Sequence, residues 1–178
     1  MINQFSHPKY ITSESDLRNI LVKCSICYRL TLKGELIVPL QALHNLMLPK
    51  PNQKNYFLVV HIPQKKQVGH WLCMAVFGSQ KKVVIIDPAN QYSSSAITVN
   101  AIHQFCRNNH LKEINFSTQC QSRTSYCCGQ ICIFFCKKMH NSTLLQLLEL
   151  RKTIKSNSIH FNEHHMVHTV QQHFKVLF

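Results

Sequence analysis

A cysteine followed by a glycine, Cys128-Gly129, lies downstream of a histidine and an aspartate in a chain of 178 residues. A thiol attacks a carbonyl carbon only as the thiolate, which a basic neighbour or a helix N-terminus stabilises. Cys128 follows a polar loop, residues 121–125, and precedes an apolar stretch, residues 129–139, so it is expected to begin a helix. Gly129 adds no side chain that would crowd an approaching substrate. Cys128 is therefore the candidate nucleophile.

A nucleophilic cysteine works with an imidazole base whose other ring nitrogen is held by an acceptor. His70 begins one predicted strand and Asp87 ends the next, so a hairpin through residues 78–82 brings the two together. Gln121, seven residues before Cys128, could donate its side-chain amide to an oxyanion beside the Cys128 N–H. The sequence thus predicts Cys128, His70 and Asp87 as a triad, with Gln121 as the oxyanion donor.

Some neighbouring side chains have a second interpretation. Cys127 is the rival nucleophile, but only Cys128 precedes a glycine, and one residue of rotation at a helix start would aim Cys127 elsewhere. Gln121 is equally typical of a solvated loop side chain, as is Gln119, so its assignment depends on spacing alone. Trp71 also fits an ordinary core aromatic.

Cysteines recur after the candidate nucleophile, because Cys132, Cys136 and His140 continue from Cys128 at four-residue spacing. A helix cannot turn four groups spread over that length onto one tetrahedral ion. These cysteines are therefore predicted to pack in the core. The single CxxC, residues 24–27, has no second pair at zinc-finger spacing, and Cys24 falls on the apolar face of a predicted helix.

Histidines are concentrated near the C-terminal end, where His164 and His168 have the i, i+4 spacing of a metal pair. The HExxH order is absent, because Glu163 precedes the first histidine of the pair. We interpret this stretch as a polar helix face. A pH-sensitive surface or an anion contact is the alternative. We predict no metal, and no cofactor required for the chemistry.

The composition fits a single packed domain over residues 1–178, since 45% of the residues are hydrophobic and 15% charged. Twenty Lys and Arg against seven Asp and Glu give a formal charge of +13, which favours a polyanionic partner such as DNA. A basic surface without a specific ligand is the alternative, because no nucleic-acid-binding motif is present. The basic clusters lie at residues 50–54, 65–66, 81–82, 137–138 and 151–155.

Features of a secretory signal or a membrane span are absent from the sequence. Residues 1–10 are polar and include His7-Pro8, and no apolar run approaches the roughly 20 residues that cross a bilayer. Nine cysteines, an odd number without disulfide-framework spacing, favour free thiols in a reducing compartment. We expect an intracellular protein that is not secreted and makes no membrane contact.

The periodicity of apolar residues predicts an α+β fold, with a central mixed, largely antiparallel sheet packed against helices. The candidate nucleophile lies at the N-terminus of a buried helix in this scheme. A break is expected at Val38-Pro39. The predicted helices span residues 13–27, 40–48, 97–105, 129–139, 144–154 and 161–174, and the predicted strands span residues 56–62, 70–77, 83–86 and 114–117, with loops at 63–69 and 78–82.

Three stretches resemble the adenovirus-type cysteine proteases, namely adenain and its relatives in Polinton-like elements, in the group that includes the SUMO-specific proteases. They are Gly69-His70-Trp71, Ile86-Asp87-Pro88 and Gln121 through Cys128-Gly129, which agree with that group in order and spacing. The resemblance covers most of the chain and fades beyond the helix that follows Cys128. Two departures are that Asp87 stands where adenain has Glu, and that the segment before His70 is longer.

The resemblance implies an adenain-like cysteine endopeptidase, viral or virus-derived, that cleaves virion structural precursor proteins during maturation. His70, Asp87, Gln121 and Cys128 match its catalytic positions, and Trp71 would lie near the active-site groove. Adenain is activated by DNA and by a viral peptide linked through a cysteine. Cys106 and Cys120 are the candidates for that link, but neither aligns cleanly, so the position stays unassigned.

Further expectations follow from the same resemblance. The protein is expected to be a monomer located in the virion and host nucleus, or in the cytoplasm, and to bind DNA non-specifically through its basic surface. Two other functions remain open from the sequence. One is a deconjugating isopeptidase for ubiquitin-like modifiers such as SUMO, which uses the same four residues. The other is a non-enzymatic, basic, DNA-binding virion protein on a protease fold.

Overall fold

The computed structural model describes residues 13–23, 37–64, 67–122, 124–140 and 142–177. Cys24, Cys27 and the end of the predicted first helix lie outside these residues, as does the basic pair at 65–66. In the described part of the chain, the strands are β1 (Ile37–Pro39), β2 (Tyr56–Gln64), β3 (Gln67–Phe77), β4 (Lys82–Ile86) and β5 (Lys112–Asn115). The helices are α1 (Glu14–Lys23), α2 (Leu40–Leu43), α3 (Ala96–Asn108), α4 (Cys128–His140), α5 (Leu144–Ser156) and α6 (Ile159–Leu177).

The five strands form one mixed sheet in the order β1-β2-β3-β4-β5. The pairings β2 with β3 and β3 with β4 are antiparallel, which confirms the three consecutive strands expected from the sequence. Both outer pairings, β1 with β2 and β4 with β5, are parallel. The sheet is therefore evenly mixed by number of pairings, although its longest ladders are antiparallel.

Helices cover both faces of this sheet. In β3 the side chains alternate: Cys73 and Ala75 belong to the core cluster that includes residues of α1, α4, α5 and α6. Leu72 and Met74 belong to the cluster that includes residues of α2 and α3. Because neither face of β3 meets water, residues 71–77 form an unbroken apolar run rather than an alternating one. The mixed α and β class expected from the sequence is confirmed.

The first helix begins at a capping box, as predicted. The Ser13 hydroxyl accepts the Asp16 backbone N–H at 3.1 Å, and the Asp16 carboxylate accepts the Ser13 backbone N–H at 2.9 Å. Leu17 and Ile20 then turn into the core. The predicted start of the helix is therefore confirmed.

The second predicted helix, residues 40–48, is wrong in length, because α2 ends at Leu43. The buried side chain of Asn109 binds the next segment instead: its Oδ1 accepts the Leu48 N–H at 2.7 Å and its Nδ2 donates to the Leu46 carbonyl at 2.8 Å. These hydrogen bonds replace the ones that a continuing helix would make. Just before α2, the expected break at Val38-Pro39 is part of the short strand β1.

The remaining elements differ from expectation mainly at their ends. Helix α3 is longer than predicted and begins after Ser95, whose side chain accepts the Thr98 N–H. Strand β5 lies two residues before its predicted position. It ends where the Asn115 side chain accepts the Ser117 N–H at 2.8 Å and Ser117 takes a φ of 47°. The last three helices occur where predicted, and no helix among the described residues could span a bilayer.

Candidate active site

Cys128 is the first residue of helix α4, as the sequence predicts. The carbonyl of the preceding residue, Cys127, accepts the Ile131 N–H at 3.0 Å, so Cys127 takes the N-cap position. The Cys128 residue is 6% exposed, and the helix behind it is buried along most of its length. The thiol therefore lies at the positive end of a helix dipole, at the edge of the core.

The hairpin of β3 and β4 brings His70 and Asp87 into contact. Cys73 pairs with Ile86, so Asp87 is the next residue beyond that ladder, and the His70 Nε2 lies 2.5 Å from the Asp87 Oδ1. Both side chains are largely buried, with 12% of His70 and 1% of Asp87 exposed. The contact that the sequence predicted is present.

Backbone amides fix the orientation of Asp87. Its Oδ1 accepts the Ala89 N–H at 2.9 Å, and its Oδ2 accepts the N–H groups of Gln91 and Tyr92 at 2.7 and 2.6 Å. Burial opposes the charged form, but the hydrogen bond to His70 and these amides together lower the pKa of Asp87. The carboxylate therefore stays ionised and stationary beside the imidazole.

His70 contacts Asp87 and also interacts electrostatically with Cys128. Because Asp87 occupies Nε2, Nδ1 is the ring nitrogen left for the thiol. Burial alone would lower the pKa of His70, but hydrogen bonds and charge interactions with Asp87 and Cys128 raise it to about 10. The imidazole is thus held as imidazolium near neutral pH, which is the state that pairs with a thiolate.

The loop that leads to Cys128 is attached to the turn after Asp87. The Pro88 carbonyl accepts two amides, those of Cys120 at 2.8 Å and Gln121 at 3.0 Å. The Gln121 side chain is buried and its Nε2 donates to the Ser125 carbonyl at 2.6 Å. An amide nitrogen carries two hydrogens, so one remains for another acceptor. Gln121 is therefore a fixed, buried side chain in this loop, while its role as an oxyanion donor stays a prediction.

The neighbouring thiol of Cys127 has a different environment from that of Cys128. Cys127 is fully buried, and its Sγ accepts the Ser125 hydroxyl at 3.0 Å. Burial, together with the nearby charge of Glu163, raises the pKa of Cys127 to about 12. A thiol held neutral in this way is a poor nucleophile, so the structure favours Cys128 over Cys127.

The other cysteines near the site are core residues. Cys132 and Cys136 are fully buried on α4, which confirms that they pack in the core. Cys106 and Cys120 are also buried, and burial raises the pKa of each to about 12. Both thiols are therefore held in the neutral form, and the attachment point of an activating peptide stays unassigned.

Within strand β3, the residue before His70 has a backbone conformation that favours glycine. Gly69 has a φ of +80°, and a Cβ at this position would lie 2.3 Å from the His61 Nε2. The His61 ring contacts Trp71, with centroids 4.5 Å apart, and Trp71 is itself buried. Trp71 thus serves the core while lying next to the site, and His61, which the sequence did not single out, covers it.

A buried carboxylate from the C-terminal helix also reaches the loop before Cys128. The Glu163 Oε2 accepts the Ser122 N–H at 2.6 Å, and Glu163 is 6% exposed. The two residues are 41 positions apart, so no local pattern in the sequence indicates the contact. Only the rarity of acidic residues in this basic chain could have drawn attention to Glu163.

The C-terminal histidines form an exposed face, as predicted. The rings of His164 and His168 stack with centroids 6.0 Å apart, and both residues are exposed. Across the described ranges, no group of three or more His, Cys, Asp or Glu side chains is arranged to hold a metal ion. The pair therefore has no third protein ligand of these types within that part of the chain.

The chain matches no protein-family model and no curated protein. What can be said of its function therefore depends on the geometry described above.

Proposed function

We propose that the protein is a cysteine endopeptidase in which Cys128 is the nucleophile, His70 the base and acid, and Asp87 the residue that orients His70. The observation that supports this most is the chain of side chains from Asp87 through His70 to Cys128, with the thiol at the first residue of a buried helix. Nucleophile, base and orienting group in hydrogen-bond contact are the arrangement that activates a cysteine.

The reaction would begin with attack of the Cys128 thiolate on the carbonyl carbon of a peptide bond. The C–S bond forms as the carbonyl π pair moves to oxygen, giving a tetrahedral oxyanion. Its collapse breaks the C–N bond, and the His70 imidazolium gives its proton to the departing amine. Neutral His70 then takes a proton from water, whose oxygen attacks the thioester and releases the acid and the Cys128 thiolate.

The oxyanion would be held by two donors. The N–H of Cys128 belongs to the first turn of α4, where backbone N–H groups have no acceptor within the helix. The second donor would be the remaining N–H of Gln121, whose side chain is fixed through Ser125. Donors that are already in place before the reaction stabilise the developing charge at little reorganisation cost.

The adenain-like identity is part of this proposal. It is supported by the chain order His70, Asp87, Gln121, Cys128, by the mixed sheet, and by the helix that begins at Cys128. Under this identity the substrates are virion precursor polypeptides, the site of action is the virion or nucleus, and DNA and a peptide act as activators. The basic composition is compatible with DNA as one of these activators.

The first test compares Cys128→Ala with Cys127→Ala. Cys128→Ala is expected to abolish peptide hydrolysis and the fast iodoacetamide labelling of a single thiol, with an unchanged circular dichroism spectrum. Cys127→Ala is a matched change at the adjacent cysteine. It is expected to keep the rates of peptide hydrolysis and of iodoacetamide labelling within about threefold, because the Cys127 thiol that it removes is neutral and buried. Full hydrolysis by Cys128→Ala would refute the assignment.

The substrate is identified by profiling cleavage products of the structural proteins encoded together with this chain, by mass spectrometry. A covalent adduct with a ubiquitin or SUMO vinyl-sulfone probe at Cys128 would instead indicate a deconjugating isopeptidase. Wild-type protein that cleaves no peptide and forms no adduct would indicate a non-enzymatic protein on this fold.

A further inference from the structure

Glu163 is one of only seven acidic residues in the chain, and it is buried rather than solvated. Its Oε2 accepts the Ser122 backbone N–H at 2.6 Å. Ser122 follows Gln121 directly and precedes Cys128 by six residues. A carboxylate taken out of water needs hydrogen bonds that replace its hydration, and a charge-assisted bond to a backbone amide is one of the stronger kinds.

Helix α6 provides a firm support for this carboxylate. Met166, Val167 and Val170 on the same helix are buried in the core cluster that also contains Cys128. The neighbouring Asn162 donates its Nδ2 to the Ile154 carbonyl of α5 at 2.8 Å. Because these apolar side chains pack α6 against the core, Glu163 presents its carboxylate at a defined position.

The loop that contains Gln121, Ser122 and Ser125 is attached to the body of the protein at more than one described residue. At its start, the Gln121 N–H is bound to the Pro88 carbonyl. At its end, the Ser125 hydroxyl reaches the N–H and Sγ of Cys127. Between them, Glu163 on the distant helix α6 accepts the Ser122 N–H. Loss of that contact would remove a hydrogen bond that ties the middle of the loop to α6.

We propose that Glu163 is a positioning residue of the active site: by holding the Ser122 amide, it keeps the Gln121 side chain where an oxyanion can use it. This role rests on the proposed peptidase function and deepens it by naming the residue that orders the oxyanion donor. Glu163 does not touch the substrate. It acts through the backbone of the loop, so its removal is expected to impair the tetrahedral step and not the thiolate.

The carboxylate of Glu163 also affects the pKa of Cys127, the residue next to the candidate nucleophile. Its negative charge lies close enough to Cys127 to contribute to the raised pKa of that thiol, after the larger effect of burial. The same carboxylate that orders the loop thus helps to keep the adjacent cysteine neutral. This supports a site in which Cys128 alone reacts.

The experiment uses the full chain with Glu163→Ala and Glu163→Gln. Glu163→Ala removes the acceptor and is expected to lower kcat roughly 10-fold or more with KM within about twofold, a smaller loss than the 10²- to 10³-fold seen when an oxyanion donor itself is removed. Glu163→Gln keeps an acceptor oxygen and is expected to retain most of kcat. The alkylation rate of Cys128 by iodoacetamide needs no oxyanion donor, so it should stay within about twofold in both variants.

Hydrogen exchange of the Ser122 amide, followed by NMR, tests the contact without reference to activity. Exchange should accelerate in Glu163→Ala and stay slow in Glu163→Gln. Asn162→Ala is the matched control, because it removes a hydrogen bond of the neighbouring residue on α6 without touching the loop. It is expected to lower stability while leaving kcat within about twofold at temperatures well below unfolding. If Glu163→Ala fails to fold, Glu163→Asp is used in its place, because it withdraws the carboxylate by one methylene group. We expect the same result, a lower kcat with little change in KM or in the alkylation rate of Cys128.

Several outcomes would overturn the proposal. Equal losses of kcat in Glu163→Ala and Asn162→Ala would make the role of Glu163 purely structural. Unchanged hydrogen exchange of the Ser122 amide in Glu163→Ala would refute the contact. A loss of the Cys128 alkylation rate parallel to the loss of kcat would mean that Glu163 acts on the thiolate and not on the oxyanion donor. Wild-type protein without peptidase activity would instead refute the proposed function, and this role with it.

Discussion

The His70 ring lies between a carboxylate and a thiol, and both neighbours favour its protonated form. Burial has the opposite effect and would lower its pKa if it acted alone. The outcome, a pKa of about 10, means that the imidazolium persists through the neutral range and loses its proton only in base. The alkaline limb of activity is therefore the one that reports on the environment of His70.

Asp87→Asn removes the charge that contributes most to this effect. A pKa that is raised by a partner falls when the partner is neutralised, so His70 in the variant should lose its proton at lower pH. We expect the alkaline limb of kcat/KM, near pH 10 in the wild type, to move down by about one unit or more in Asp87→Asn. The measurement is a profile from pH 5 to 10.5 with a peptide substrate.

Glu149→Gln is the control for this profile, because it removes a negative charge from a side chain that is 54% exposed and paired with Lys152 at the surface. Its alkaline limb should match that of the wild type. An unshifted limb in Asp87→Asn would mean that Asp87 does not set the protonation of His70.

At this scale, part of the site could be predicted from the sequence. His70 and Asp87 lie on adjacent strands of one hairpin, so counting residues from the turn is enough to bring them together. Counting does not show which partner a buried amide chooses, so the bond from Gln121 to Ser125 was not foreseen. The contact of Glu163 with Ser122 joins two segments whose separation depends on how the helices pack, and packing has no short-range signal.

Strand β3 depends on Gly69 at the point where it delivers His70. Gly69→Ala would place a non-glycine residue at a φ of +80° and push its Cβ against the His61 ring. We expect the free energy of unfolding to fall by roughly 1–2 kcal/mol, measured by urea denaturation. In a His61→Ala background the ring contact is gone, so the cost of Gly69→Ala should fall toward about 1 kcal/mol, the backbone contribution alone. Equal costs in both backgrounds would exclude a steric contribution from His61.

Helix α3 is connected to the segment after α2 by Asn109, which is fully buried. Besides its two bonds to that segment, its Nδ2 donates to the Phe105 carbonyl at 2.9 Å. Asn109→Ala leaves the buried Leu48 N–H and the partly buried Leu46 carbonyl without these partners, so a loss of about 2–4 kcal/mol in unfolding free energy is expected. Thermal or urea unfolding measures it.

The adjacent Asn108 provides a matched control for that variant. Its Nδ2 also donates to a distant carbonyl, that of His44, at 2.8 Å, but the bond is exposed to water. Asn108→Ala should therefore cost less than about 1 kcal/mol. Similar losses in the two variants would contradict the view that burial makes the Asn109 contacts important.

The elements that were predicted best are those whose cause is local. Helix α1 begins at a capping box that the sequence shows directly, and the apolar run of residues 71–77 correctly predicts where β3 ends. The predicted loop at 63–69 is wrong in length, because β2 continues to Gln64 and β3 begins at Gln67. Helix α2 was predicted too long because the residue that ends it, Asn109, lies more than 60 positions away. The edge strand β1 has three residues and a parallel partner, so it has too little pattern of its own to be recognised.

Charge is the property that belongs to the whole molecule. The formal charge is +13, and two of the seven acidic residues, Asp87 and Glu163, are buried in contacts of their own. Few carboxylates are therefore available on the surface to neutralise the lysines and arginines. A polyanion should bind without sequence preference, mainly through release of its counterions.

We expect binding to duplex DNA, measured by fluorescence anisotropy, to weaken about tenfold or more between 50 and 200 mM salt. Reversing the adjacent charges with Lys81→Glu and Lys82→Glu should weaken binding and reduce the salt dependence, whatever the DNA sequence. Binding that does not respond to salt would contradict a surface based on phosphate contacts. This result bears on the basic surface and not on the peptidase proposal.

Trp71 makes one further experiment simple, because it is the only tryptophan in the chain and follows His70 directly. Its indole is buried and lies against the His61 ring, with 4.5 Å between the ring centroids. Light absorbed at the red edge of the protein spectrum therefore excites a single reporter beside the site. Its emission can follow ligand binding and local opening of the hairpin in unlabelled protein, separately from the tyrosines elsewhere in the fold.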